Sequence, residues 1–197
     1  MPNICAHMIV AKEVAKILNL NSDEFIKGNL LPDVVDMEDS HHKIKSVVYM
    51  IPNIDHFITT LDFDNDLYIG YFTHLLLDKH YLEDYLGKLY PNKNIFLDGK
   101  IYKDYDYLNH LLVKKFNLNI CNLEEILMRY DCKILEEKLK YNIERLKQKK
   151  KGTTYYLNFE SFSQFLSDVS VIISKELVEY ANKSNKLYIR IRQWEKW

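Results

Sequence analysis

The chain has 197 residues, 47% apolar and 28% charged, with a formal net charge of −1. That length suits one domain with a substantial buried core. The near-neutral balance excludes a global basic field that would recruit nucleic acid or anionic lipid. Its 15 tyrosines stand against only 5 glycines and 4 prolines, a scarcity of turn-formers that favours long helices. Cys5, Cys121 and Cys132 are scattered without a Cys-x-x-Cys spacing, so neither a disulfide framework nor a cysteine zinc site is indicated. No basic-then-apolar signal segment opens the sequence, and no apolar run approaches the roughly 18 residues of a membrane span. A reducing, cytoplasmic setting is the expectation.

Ala6, Ile9, Val10, Val14, Ile17 and Leu18 recur at helical spacing and predict a first helix. Asn21 with Glu24 reads as a capping pair for a short second helix ending near Gly28. Gly28 to Asp33 contains Gly and Pro and reads as a turn, and Asp36 to Ser46 as a polar loop carrying His41 and His42. Pro52 and Asn53 open a helix through Leu61, and another is predicted from Asp66 to about Tyr85. Beyond a loop around Pro91 to Gly99, Asp104 to Phe116 is helical, and Asn122 with Glu125 caps a long helix ending at Gly152. Phe159 to Tyr180 is the last clear helical stripe, and Leu187 to Ile191 is ambiguous. There is no internal repeat and no linker, so the expectation is a single-domain, all-α helical bundle over residues 1–197.

The segment Gly70-Tyr71-Phe72-Thr73-His74-Leu75-Leu76-Leu77-Asp78 places a histidine and an aspartate four apart in an apolar run. Four residues is about one helical turn, so both side chains leave one face, and that face is expected to be buried. A buried carboxylate is costly unless it is paired or bound to a metal, and this spacing lets an imidazole nitrogen and a carboxylate oxygen reach one ion. Two such residues on a helix also occur as a plain hydrogen bond. The upstream residues shift the balance. His7 lies on the inner stripe of the first helix, Asp33 follows Pro32 in a tight segment, and His41 and His42 sit in the next loop. His7, Asp33, His41 or His42, His74 and Asp78 would supply five donors, enough for a two-metal centre with one bridging carboxylate.

In order and spacing, Ala6-His7-Met8, Gly28-Asn29-Leu30-Leu31-Pro32-Asp33, Ser40-His41-His42 and Gly70 to Asp78 resemble the zinc-dependent phospholipase C family over roughly the first 85 residues. The resemblance implies a helical phospholipase C-like fold, a zinc cluster of one or two ions, and His7, Asp33, His41, His74 and Asp78 as ligands. His41 is preferred over His42 because the family's loop histidine tends to precede a ring. The family's secreted members use an N-terminal tryptophan and a later pair of histidines with a glutamate, whereas this chain begins Met1-Pro2-Asn3 and has no His-x-x-x-Glu after Asp78. The implication is therefore a reduced metal centre rather than a three-zinc phospholipase.

The expected activity is metal-dependent hydrolysis of phosphate esters or diesters, on a small phosphoester or a lipid headgroup. Asp78 is the candidate bridge, and Asp33 is a ligand and the candidate catalytic group that orients or deprotonates the attacking water. A helical nucleotide phosphohydrolase and a non-catalytic module stapled by a structural metal are the alternatives. The run Lys147 to Lys151 reads as a solvated helix end, and Asp106 with His110 as a secondary candidate pair for completing the site.

Overall fold

The computed structural model describes residues 2–20, 23–34, 43–45, 49–58, 64–119 and 133–183. Helices dominate: α1 (Ile4–Leu18), α2 (Asp23–Val34), α3 (Ile54–Ile58), α4 (Asp66–His80), α5 (Gly87–Leu89), α6 (Lys100–Lys115), α7 (Lys133–Lys147) and α8 (Phe159–Lys183). A π-helical turn, Tyr81–Leu86, joins α4 to α5. The only sheet among the described residues is a two-stranded antiparallel hairpin, β1 (Lys43–Lys45) and β2 (Met50–Pro52), with Ile44 opposite Ile51. The all-α expectation therefore holds.

Local chemistry sets the ends of the central elements. Asn3 caps α1 by accepting the Ala6 amide at 3.2 Å, and Asn19 closes it with a left-handed backbone (φ 53°). Asn65 caps α4 by accepting the Leu67 amide at 3.0 Å. From Ile69 to Asp78 the buried positions of α4 are nearly continuous, so this helix runs through the core instead of lying on it. It packs against α1, α2 and α8. The π turn redirects Tyr81 and Tyr85 onto Phe162 and Phe165 of α8, and the Tyr81 and Tyr105 hydroxyls meet at 2.7 Å inside the core.

One expectation needs correction. Gly28 to Asp33 is not a turn: α2 continues through both Gly28 and Pro32 to Val34. The glycines serve a close helix crossing. A Cβ on Gly28 would lie 1.8 Å from the Leu67 carbonyl oxygen, and one on Gly70 would lie 2.0 Å from that of Phe25. Backbone therefore meets backbone where α2 crosses α4. Pro32 falls in the last turn of α2, where losing one N–H costs a single helical hydrogen bond.

Other boundaries move by about a turn. α6 begins at Lys100 rather than Asp104, and α7 ends at Lys147, before Gly152. The cap at Asn122 and the segment Leu187 to Ile191 lie outside the described residues. Asp106 takes no part in a metal site; it accepts from Arg145 at 2.6 Å and from Lys150 at 2.7 Å, tying the end of α7 to α6.

Asp104, wholly buried, fastens the segment that leads into α8. Its carboxylate accepts the backbone amides of Tyr155 (2.8 Å), Tyr156 (2.7 Å) and Leu157 (2.9 Å). Charge-assisted bonds of this kind are about twice as strong as neutral ones, and leaving such amides unmet inside the protein costs on the order of 1–3 kcal/mol each. Asp104→Ala is expected to lower unfolding free energy in urea by roughly 3 kcal/mol; a loss below about 1 kcal/mol would mean that solvent replaces the carboxylate.

Candidate metal centre

Three of the five residues singled out in the sequence converge. His7 from the first two turns of α1, and His74 and Asp78 from successive turns of α4, are each fully buried. One ligand atom from each lies within 4.8 Å of the others, an arrangement able to hold a metal ion. The Asp78 carboxylate is divided between the two histidines. His7 Nε2 stands 3.4 Å from Oδ1, and His74 Nε2 stands 3.5 Å from Oδ2. These gaps exceed a normal N–H···O distance. They match the roughly 3.4 Å that separates two ligand atoms around a tetrahedral ion with bonds of about 2.0–2.1 Å.

The orientation of His74 is fixed from behind. Its Nδ1 lies 2.7 Å from the backbone oxygen of Asn29 on α2. A carbonyl only accepts, so Nδ1 carries the proton and Nε2 is presented to Asp78 as the ligating nitrogen. A metal-binding histidine is commonly held by such a bond on its other nitrogen. His7 stacks on His74 with ring centroids 3.6 Å apart and planes within 5°. Neither ring nitrogen of His7 makes a hydrogen bond among the described residues, although the side chain is completely buried. An imidazole left in that state is costly unless something else meets it. This orphaned ring is the observation that best fits a metal-binding role for the cluster.

The charge state agrees. Burial pushes the Asp78 carboxyl upward, but His74 first and then His7 outweigh it and hold it well below the ordinary carboxylate range. For His74, burial acts downward, and the Asp78 carboxylate, with help from Asp33 and the Asn29 carbonyl, lifts it above the usual value. For His7, burial and the neighbouring His74 charge prevail, so its value falls. The three groups are thus electrostatically coupled, with Asp78 and His7 held below and His74 above their ordinary values.

Asp33 stands on the last turn of α2, half-buried, outside the tight three-residue set. Its negative charge nevertheless reaches the cluster, raising both His7 and His74. His41, and its neighbour His42, lie outside the described residues. His80 points away from the cluster; its nitrogens meet Asp84 at 2.6 Å and Glu176 at 3.0 Å. Sequence reasoning missed Asn29, because its contribution is a main-chain oxygen that any residue possesses. It also missed the role of Gly70. A Cβ there would come within 2.0 Å of Phe25 O and 2.8 Å of Asn29 N, so this glycine lets α2 deliver the Asn29 carbonyl to His74.

Two outcomes are expected. Zinc added to chelator-treated protein at about 100 times its Kd should stabilise by about 2.7 kcal/mol, a rise in Tm of roughly 5–10 °C. Asp78→Asn should remove that rise, and binding should weaken in acid, beginning above the ordinary histidine range because His74 must release its proton. Differential scanning fluorimetry from pH 5 to 8 reads both effects, and an unchanged Tm with metal would exclude the site. Gly70→Ala should destabilise the chain by about 1–3 kcal/mol through overpacking, despite the better helix propensity of alanine, and should weaken zinc binding as well. A neutral or stabilising effect in urea denaturation would refute this reading of the crossing.

No family model, no curated protein and no solved structure matches this chain.

Proposed function

We propose that this protein is a metal-dependent hydrolase of phosphate esters or diesters, with its centre at His7, His74 and Asp78 and with Asp33 at its edge. The observation that carries the proposal is the division of one carboxylate between two parallel imidazoles. Each Nε2 faces its own oxygen of Asp78, and the three side chains offer imidazole and carboxylate donors within 4.8 Å of one another. His7, His74 and Asp78 would hold one or two divalent ions there, with Asp78 as the candidate bridge, and zinc suits these donors.

Bound there, divalent ions supply an acidified water and neutralise phosphoryl charge. The chain's own groups do the rest. Asn29 holds His74 in its ligating tautomer. Asp33, half-buried and with a charge that reaches both histidines, is the proposed group to orient the attacking water and accept its proton. The resemblance to zinc-dependent phospholipase C supports the same class of chemistry, and His41 is the proposed further ligand.

Complete burial of His7, His74 and Asp78 favours a second reading, in which a metal staples α1 to α4 without turnover. Hydrolysis of bis-para-nitrophenyl phosphate with and without zinc or manganese separates the two. The hydrolase is expected to turn over only with metal, and Asp33→Asn should cut kcat about 100-fold while metal content is kept. Phosphate release from nucleotides, with no diester cleavage, would assign a nucleotide phosphohydrolase instead. Bound, stabilising metal with no turnover on either substrate class would establish the staple.

A further inference from the structure

Asn29 is buried with a polar atom unmet. Its main-chain oxygen lies 2.7 Å from His74 Nδ1, a bond that any residue at this position could accept. That bond therefore does not explain the asparagine side chain, which is wholly excluded from solvent. The amide nitrogen Nδ2 stands 3.5 Å from the Gly70 oxygen, longer than a normal hydrogen bond. The amide oxygen Oδ1 has no hydrogen-bond partner among the described residues. Exchanging the two ends of the amide would not relieve it, because Oδ1 would then face the Gly70 oxygen, acceptor against acceptor. A buried acceptor left in this state is costly, and leucine would fill nearly the same volume without that cost.

We propose that Asn29 Oδ1 is a further ligand of the metal centre, a neutral oxygen donor that α2 adds to the nitrogen and carboxylate donors of α1 and α4. The inference rests on the proposal that His7, His74 and Asp78 hold a metal ion. It names a ligand that neither their spacing nor the resemblance to zinc-dependent phospholipase C assigns.

Three neighbours place the side chain at the wall of the cluster. His74 is the partner of the Asn29 main chain, so the residue already touches one of the three metal-binding side chains. Gly70, beside which Nδ2 lies, is one helical turn before His74 on α4, and a Cβ there would lie 2.8 Å from Asn29 N. Asp33 stands one turn after Asn29 on the same face of α2, and its charge raises both His7 and His74. The face of α2 that carries Asn29 and Asp33 therefore fronts the cluster.

The donor chemistry agrees. His7, His74 and Asp78 each offer one ligand atom, and a four-coordinate ion takes one more. Amide oxygens of asparagine bind divalent ions directly. Such an oxygen has no proton to lose and brings no negative charge, so the metal-free protein buries it far more cheaply than a second carboxylate. Its lone pairs are met only by a cation or a hydrogen-bond donor, and His74 Nδ1 is already engaged by the main chain.

The test uses the full chain stripped of metal with chelator, with zinc affinity read by competition against a chromophoric chelator. Asn29→Leu keeps the main-chain oxygen and the size of the side chain while removing Oδ1, and is expected to weaken zinc binding about 100-fold. Asn29→Ala, with the same loss expected, covers the case in which leucine does not fit. Asn29→Asp keeps an oxygen at that place but loses the Nδ2 contact to Gly70. It should bind zinc as tightly as the parent chain or tighter, while its metal-free Tm falls. Cobalt supplies a second readout, because its visible absorption follows the number and kind of ligands, and the band should differ between the parent and Asn29→Leu. Zinc binding by the leucine and alanine variants equal to that of the parent, an unchanged cobalt band, or an Asn29→Asp chain as weak as Asn29→Leu would overturn the ligand and leave the amide a packing group. A parent chain that binds no zinc would instead refute the centre itself, and the ligand with it.

Discussion

Removing the Asp78 carboxylate from water carries a penalty of several kcal/mol, and the centre of the bundle is arranged to meet it. The group cannot simply neutralise itself, because the two imidazoles facing it keep it ionised. Its partners come from two helices far apart in sequence, so the electrostatic demand of one residue ties α1 to α4. That tie holds only if both rings are oriented. The His74 ring is set by the Asn29 carbonyl, and the His7 ring lies flat on His74. Remove the α2 crossing and the chain of support fails at its first link.

The crossing itself depends on missing atoms. Gly28 and Gly70 let two backbones touch, and the residue next to Gly28 is the one whose carbonyl reaches His74. At either position any side chain larger than hydrogen would collide with the backbone of the facing helix. The same economy of space explains why α4 is apolar almost all round: Leu75, Leu76 and Leu77 fill the three directions not taken by the cluster. Packing and chemistry are thus decided by the same fifteen-residue helix.

Much of this was legible in the sequence, for reasons that differ by residue. His74 and Asp78 could be paired because the helical period alone puts them on one face. His7 could be added because an apolar stripe defined the inner side of α1, and stripes survive tertiary packing. Gly28 to Asp33 was read as a turn because glycine and proline break structure in isolation, whereas here one is an allowance for backbone contact and the other sits where a helix has few bonds left to lose. Asn29 was invisible as a site residue, since main-chain oxygens leave no mark in a sequence. Asp106 illustrates the opposite failure: it stands at the right helical spacing from His110, but its carboxylate is taken by Arg145 on α7 and by Lys150, which spacing cannot foresee.

The stacking of His7 on His74 bears on how the centre handles charge. Two parallel rings 3.6 Å apart cannot both be charged at little cost, and the neighbouring His74 is one of the causes that lower His7. Each ring instead turns its Nε2 to its own oxygen of Asp78, so one buried carboxylate is flanked by two imidazole donors in a set able to hold a metal ion. Asp33, half-buried and negative, raises both histidines, so the field at the cluster favours positive charge, whether on an imidazole or on a cation held by the same three side chains.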